Sequence, residues 1–110
     1  MRLGDKMAII SVTALQLKPG GNWEDAQKSI KKGNDLARKH GAENVTTMVA
    51  MAAGEATGTV TILSTSADWA KYGQVQDAMM ADPEMQALMA DSKNPVSSWS
   101  TYVSQTIPDM

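Results

Sequence analysis

Residues 7–17 read Met7-Ala8-Ile9-Ile10-Ser11-Val12-Thr13-Ala14-Leu15-Gln16-Leu17, and the fold turns on how they are read. Their β-branched content, and their stop at Lys18-Pro19-Gly20-Gly21, predict a strand. Met7, Ile9, Leu15 and Leu17 alternate onto one face; Ala8, Ile10, Val12 and Ala14 fall on the other. A strand buried on one side only carries a polar face. This one does not, so its sheet is expected to be covered on both sides.

Downstream, Asn22 is a good N-cap, with Glu24 and Asp25 in the first turn, where the helix dipole favours acids. Trp23, Ala26, Ile30, Gly33, Leu36 and Ala37 recur at spacings of three and four, which predicts an amphipathic helix ending at Gly41. Gly33 sits on that inward stripe at a propensity cost of roughly 1 kcal/mol. A close approach to the sheet is the expected reason. Val45–Ala53 and Thr59–Ser66 predict two strands joined by a hairpin loop, Gly54 to Gly58. Ser66 is expected to cap a second helix with the stripe Trp69, Tyr72, Gly73, Gln76, Met79 and Met80. Asp82-Pro83-Glu84 restarts the helix: Asp at the N-cap, Pro at the first helical position, an acid behind it. Met85, Leu88 and Met89 face inward from that short helix, and Ser98–Ile107 predicts the last strand.

The order strand, helix, strand, strand, helix, strand makes residues 7–110 a single α+β domain after a six-residue extension at 1–6. The architecture it implies is a ferredoxin-like βαββαβ unit, with a four-stranded antiparallel sheet and both helices on one side. The other side still carries Val, Ile, Leu and Met. A second copy of the chain is the expected cover, giving a homodimer joined through the sheet face as a dimeric α/β barrel.

Composition limits the function classes. A chain of 110 residues holds one domain, and 43% apolar with 20% charged side chains is ordinary globular composition. The net charge of −2 is uneven: residues 1–40 hold eight of the ten basic side chains against four acids, residues 41–110 two against eight. The basic group Lys28, Lys31, Lys32, Arg38 and Lys39 reads as the wet face of the first helix, its positive end at the C-terminus. An acidic chain of this kind is not expected to bind nucleic acid. No run approaches the ~20 apolar residues of a membrane span, and the cytoplasm is the default location. There is no cysteine and one histidine, His40, so neither a disulfide nor a Cys/His metal site is available. Nucleotide-binding glycine motifs and a serine-hydrolase elbow are absent. No metal, haem or flavin is expected, and no residue stands out as a catalytic acid or base. His40 beside Gly41 reads as a solvated helix-end histidine.

The run Ser66-Ala67-Asp68-Trp69-Ala70-Lys71-Tyr72-Gly73, followed by Asp82-Pro83-Glu84-Met85-Gln86-Ala87-Leu88, resembles the helical half of the dimeric α/β-barrel superfamily. The likeness spans about residues 7–107 and points to the branches of antibiotic-biosynthesis monooxygenases and NIPSNAP-like proteins. It implies the dimeric barrel and a cavity between sheet and helices in each subunit. In the monooxygenase-like relatives, oxygenation proceeds without metal or flavin because an electron-rich phenol or quinol supplies the electrons. Haem-degrading relatives place a histidine near the position of Met89 and an asparagine on the first strand; this chain has neither. The resemblance makes Trp69, Tyr72 and Met89 candidates for the cavity wall, and helical spacing adds Met79 and Met80. A methionine and aromatic stripe at helical spacing is equally the pattern of plain core. Two functions are therefore expected to compete: a cofactor-independent monooxygenase acting on a small aromatic, and a non-catalytic barrel that binds a small apolar ligand or serves in stress.

Overall fold

The computed structural model describes residues 7–18, 20–51 and 59–108. In chain order these form β1 (Ile9–Leu17), α1 (Trp23–Lys39), β2 (Glu43–Val49), β3 (Val60–Ser66), α2 (Trp69–Ala81), α3 (Pro83–Ala90) and β4 (Val96–Gln105). The 1–6 extension and the loop expected between Gly54 and Gly58 lie outside the described residues.

The strands make one antiparallel sheet in the order β2-β3-β1-β4, the ferredoxin-like arrangement. β1 is central, pairing Thr13 with Ile62 of β3 on one side and with Thr101 of β4 on the other. Its odd residues face the helices. Ile9 is fully buried there, Ser11 and Leu15 nearly so, and Leu15 joins Ile30 of α1 and Val60 of β3 in the core. Each such apolar side chain stabilises the fold by roughly 1.5–3 kcal/mol when fully buried. Ile10, Val12 and Ala14 point to the opposite face with Leu63, Met48 and Tyr102, all of them partly or largely exposed. Among the described residues no helix covers that face.

The helix ends follow the sequence signals with one exception. Asn22 Oδ1 accepts from the backbone N–H of Glu24 at 2.7 Å, and Gly41 stops α1 at φ +106°. At α2 the cap is Asp68, whose carboxylate accepts from Lys71 N at 2.7 Å; Ser66, expected in that role, ends β3 and is buried. The ionised carboxylate two residues later is the stronger acceptor for the helix end. β2 starts earlier than expected, at Glu43, because an extra residue bulges between Glu43 and Thr46. Asn44 absorbs the bulge in the left-handed region at φ 52°, where asparagine is enriched. β4 begins at Val96, whose N–H donates to Asn94 Oδ1.

Candidate ligand-binding cleft

Gly33 shows where the layers part. The sequence pattern led us to expect the sheet against it. Instead, the nearest atom to a Cβ built at Gly33 is Leu88 Cδ2 of α3, at an ordinary 3.7 Å. α1 meets α3 here, and a cleft opens beneath both.

The cleft measures about 260 Å³ and lies between the inward face of β1, β3 and β4 and the helices. Its floor is polar: Ser11 and Thr13 of β1, Ser64 of β3 and Thr101 of β4. Period-two alternation puts these hydroxyls on the helix side with Ile9 and Leu15. Thr13 Oγ1 and Thr101 Oγ1 share a hydrogen bond of 2.8 Å across the β1–β4 pair. The opposite wall is apolar and soft, made of Met79 and Met80 of α2 with Met85, Leu88 and Met89 of α3. Trp99 on the edge strand β4 closes one side and is 46% exposed, so the cleft communicates with solvent along that edge. Asn34 sits at the α1 end. It is buried, and its Nδ2 donates to Thr47 Oγ1 of β2 at 2.8 Å, so its polarity is satisfied. Among the described residues twenty-one line the cleft, and none of them is Asp, Glu, Lys, Arg or His.

Of the residues singled out from sequence, Met79, Met80 and Met89 line this cleft, and Trp69 and Tyr72 do not. Those two stand at the start of α2, in edge-to-face contact with ring centroids 6.1 Å apart. Trp69 Nε1 donates to Gln105 Oε1 of β4 at 2.8 Å, and its ring is half exposed. α2 rises ~1.5 Å per residue, so the ten positions from Trp69 to Met79 carry the aromatic pair well away from the methionine wall. The hydroxyl floor is not among the residues singled out from sequence, where Ser11 and Thr13 are simply polar members of the 7–17 strand.

His40 is placed differently from the expectation of a solvated helix end: its side chain is only 19% exposed. Its Nε2 donates to Asp82 Oδ2 at 2.7 Å, while Asp82 Oδ1 caps α3 by accepting from Glu84 N at 2.9 Å. The His40 hydrogen bond first, and the Glu84 N–H after it, hold the Asp82 carboxyl down at about 2. Lys39 adds a weaker pull from 3.5 Å. This pair ties the end of α1 to the start of α3 and neither member lines the cleft. A broader depression, about 420 Å³, lies on the outer side of α1 among Lys28, Lys31, Lys32 and Lys39. Its rim is exposed lysines of α1 with Glu84 of α3, Leu36 is buried at its base, and Lys31 is engaged by Asp35 at 2.9 Å, so it is a shallow, open surface and not an enclosed site. Among the described residues no three His, Cys, Asp or Glu side chains gather to hold a metal ion, and no helix is long and apolar enough to cross a membrane.

No protein-family model matches the chain, and no curated protein matches it. Its similarity to solved structures is extensive. A NIPSNAP family protein from Agrobacterium tumefaciens superposes with a TM-score of 0.74 at 12% identity, over 94% of this chain and 89% of that one. A DABB family protein with a ferredoxin-like fold from Mesorhizobium loti gives 0.65 at 14% identity, over 90% and 96%. SnoaB, a cofactor-independent oxygenase from Streptomyces nogalater, gives 0.65 at 10% identity, over 93% and 98%. At these identities the likeness establishes the fold of the single chain, the ferredoxin-like arrangement read from the sequence.

Proposed function

We propose that this chain is a small-molecule-binding protein that works as a homodimer, with the cleft between the sheet and α2–α3 as its ligand site. The observation that carries the reading is the cleft: about 260 Å³ of space with a soft apolar wall and a few convergent hydroxyls. That volume falls just under the ~300–1,000 Å³ of sites for drug-sized ligands, and the mix of lining groups is theirs. Thermal melting against a panel of neutral phenols, quinols and ketones tests it. A ligand at about 100 times its dissociation constant stabilises by about 2.7 kcal/mol; no stabilisation by any compound contradicts the reading.

The homodimer belongs to the same proposal. Its support is the outer sheet face, where Ile10, Val12, Met48, Leu63 and Tyr102 gather without cover among the described residues. Two such faces packed together form a dimeric α/β barrel. Leu63→Lys places a charge in the middle of that interface and should leave aggregated or unfolded protein, because obligate dimers often lack a stable folded monomer. A wild-type chain that sediments as a stable monomer at micromolar concentration contradicts it. Residence in the cytoplasm completes the reading and is checked by cell fractionation.

A second reading, oxygenation of a phenol or quinol without a cofactor, has in its favour a fold-level neighbour named as a cofactor-independent oxygenase. Against it stands the lining. An electron-rich phenolate is the reductant in such chemistry, a phenol releases its proton near pKa 10, and a positioned base within hydrogen-bond reach is what makes that release fast at neutral pH. Among the described residues no carboxylate, imidazole or amine lines the cleft. Binding without turnover is therefore the reading the site supports best. Oxygen uptake in the presence of the stabilising compounds separates the two.

A further inference from the structure

The geometry points to an electrically neutral ligand that docks a carbonyl or hydroxyl oxygen on the Thr13–Thr101 hydroxyl pair; the inference rests on the reading of the cleft as a binding site. Two independent features lead there. The first is charge: among the described residues no lining side chain is ionisable, so an anion or cation entering the cleft gives up part of its hydration with no counter-charge there to replace it. The second is the state of the hydroxyl pair. A threonine hydroxyl has one hydrogen to give and two lone pairs. In the 2.8 Å contact one hydroxyl donates to the other, and the accepting hydroxyl keeps its own hydrogen. A carbonyl or hydroxyl oxygen of the ligand accepts that hydrogen, and a ligand hydroxyl also finds lone pairs to donate to.

Position makes the pair a suitable anchor. Thr13 is in the middle of β1 and pairs directly with Thr101 in the ladder, so the backbone hydrogen bonds of the sheet hold the two residues side by side. Facing them are thioethers of Met79, Met85 and Met89, which adapt their shape to an apolar body. Floor and wall together select an amphipathic molecule with an uncharged oxygen on one edge and hydrocarbon on the other.

Matched probes on one skeleton test this by calorimetry: 1-tetralone, its oxygen-free parent tetralin, and 1-naphthoate as the anion. The expected order is tetralone above tetralin by about tenfold, the worth of one net hydrogen bond, with no measurable binding of naphthoate. Thr13→Val and Thr101→Val keep the β-branched shape and remove the hydroxyl. Either hydroxyl left alone still has a hydrogen to give, so the two substitutions are combined: the double variant should lower tetralone affinity by about tenfold toward that of tetralin, leaving tetralin unchanged. Thr13→Ser restores the hydroxyl and should restore the difference, which guards against a general folding defect. Naphthoate binding as tightly as tetralone, or a double valine variant that binds tetralone unaltered, overturns the inference while leaving the cleft a binding site. Binding of none of the probes at millimolar concentration overturns both.

Discussion

Replacing Gly33 with alanine asks whether the space beneath α1 is real. Gly33 is in the middle of the 17-residue helix α1, where glycine costs roughly 1 kcal/mol relative to alanine. If the sheet came up against this position, as the inward stripe suggests, a methyl group would clash and the substitution would destabilise. In the structure the added Cβ meets only Leu88 Cδ2, at 3.7 Å, which is ordinary van der Waals contact and touches no backbone of the sheet. The helix-propensity gain is then realised almost in full, so Gly33→Ala should stabilise the fold by about 1 kcal/mol. For a domain of this size that corresponds to a rise in melting temperature of roughly 4 °C. Urea unfolding followed by far-UV circular dichroism, at one fixed protein concentration, should show the midpoint moved up with the slope unchanged. A loss of about 1 kcal/mol or more would refute the reasoning, since it would mean that the layers close at Gly33.

Two further outcomes follow from named contacts. Asp82 has a folded pKa of about 2 against an ordinary 3.8, so its stabilising effect is complete above the unfolded value and is lost as pH falls through about 2. Asp82→Asn should therefore be less stable than wild type at neutral pH, with the gap closing between about pH 4 and pH 2; denaturation midpoints measured across that window check it, and a constant gap contradicts it. Trp69 is half exposed and held by Gln105 and Tyr72 outside the cleft lining. Trp69→Ala should thus cost about 2 kcal/mol, below the ~3–5 kcal/mol of a fully buried tryptophan, and should leave tetralone affinity unchanged in the same calorimetric titration.

The contrast between Trp69 and Thr13 shows what the sequence makes legible. β1, the capped start of α1 at Asn22 and the restart at Asp82-Pro83-Glu84 rest on local rules, and all three are where those rules put them. The split βαβ order follows from them. The cleft floor is different. Thr13 and Thr101 are 88 positions apart and meet only because β4 returns to the edge beside β1, a register that no local pattern encodes. Asn34 escaped the inward stripe because it is polar, yet it is buried once Thr47 is there to accept its hydrogen bond. Trp69 has the right helical phase for the stripe, but phase says nothing of position along the axis. Its indole N–H is drawn to Gln105 at the far end of the sheet. The His40–Asp82 tie likewise needs α1 and α3 in place before it can be seen.

The claim on which the account rests is that a small neutral molecule enters the helix side of the sheet, and the methionines report on it directly. Met79, Met80, Met85 and Met89 line the cleft; Met7, Met48 and Met51 do not, and Met48 belongs to the outer face of the sheet. With methyl-13C-methionine protein, titration with 1-tetralone should shift the methyl resonances of the four cleft methionines and leave those of Met7, Met48 and Met51 in place. Shifts concentrated at Met48, or none at saturating probe, would contradict it.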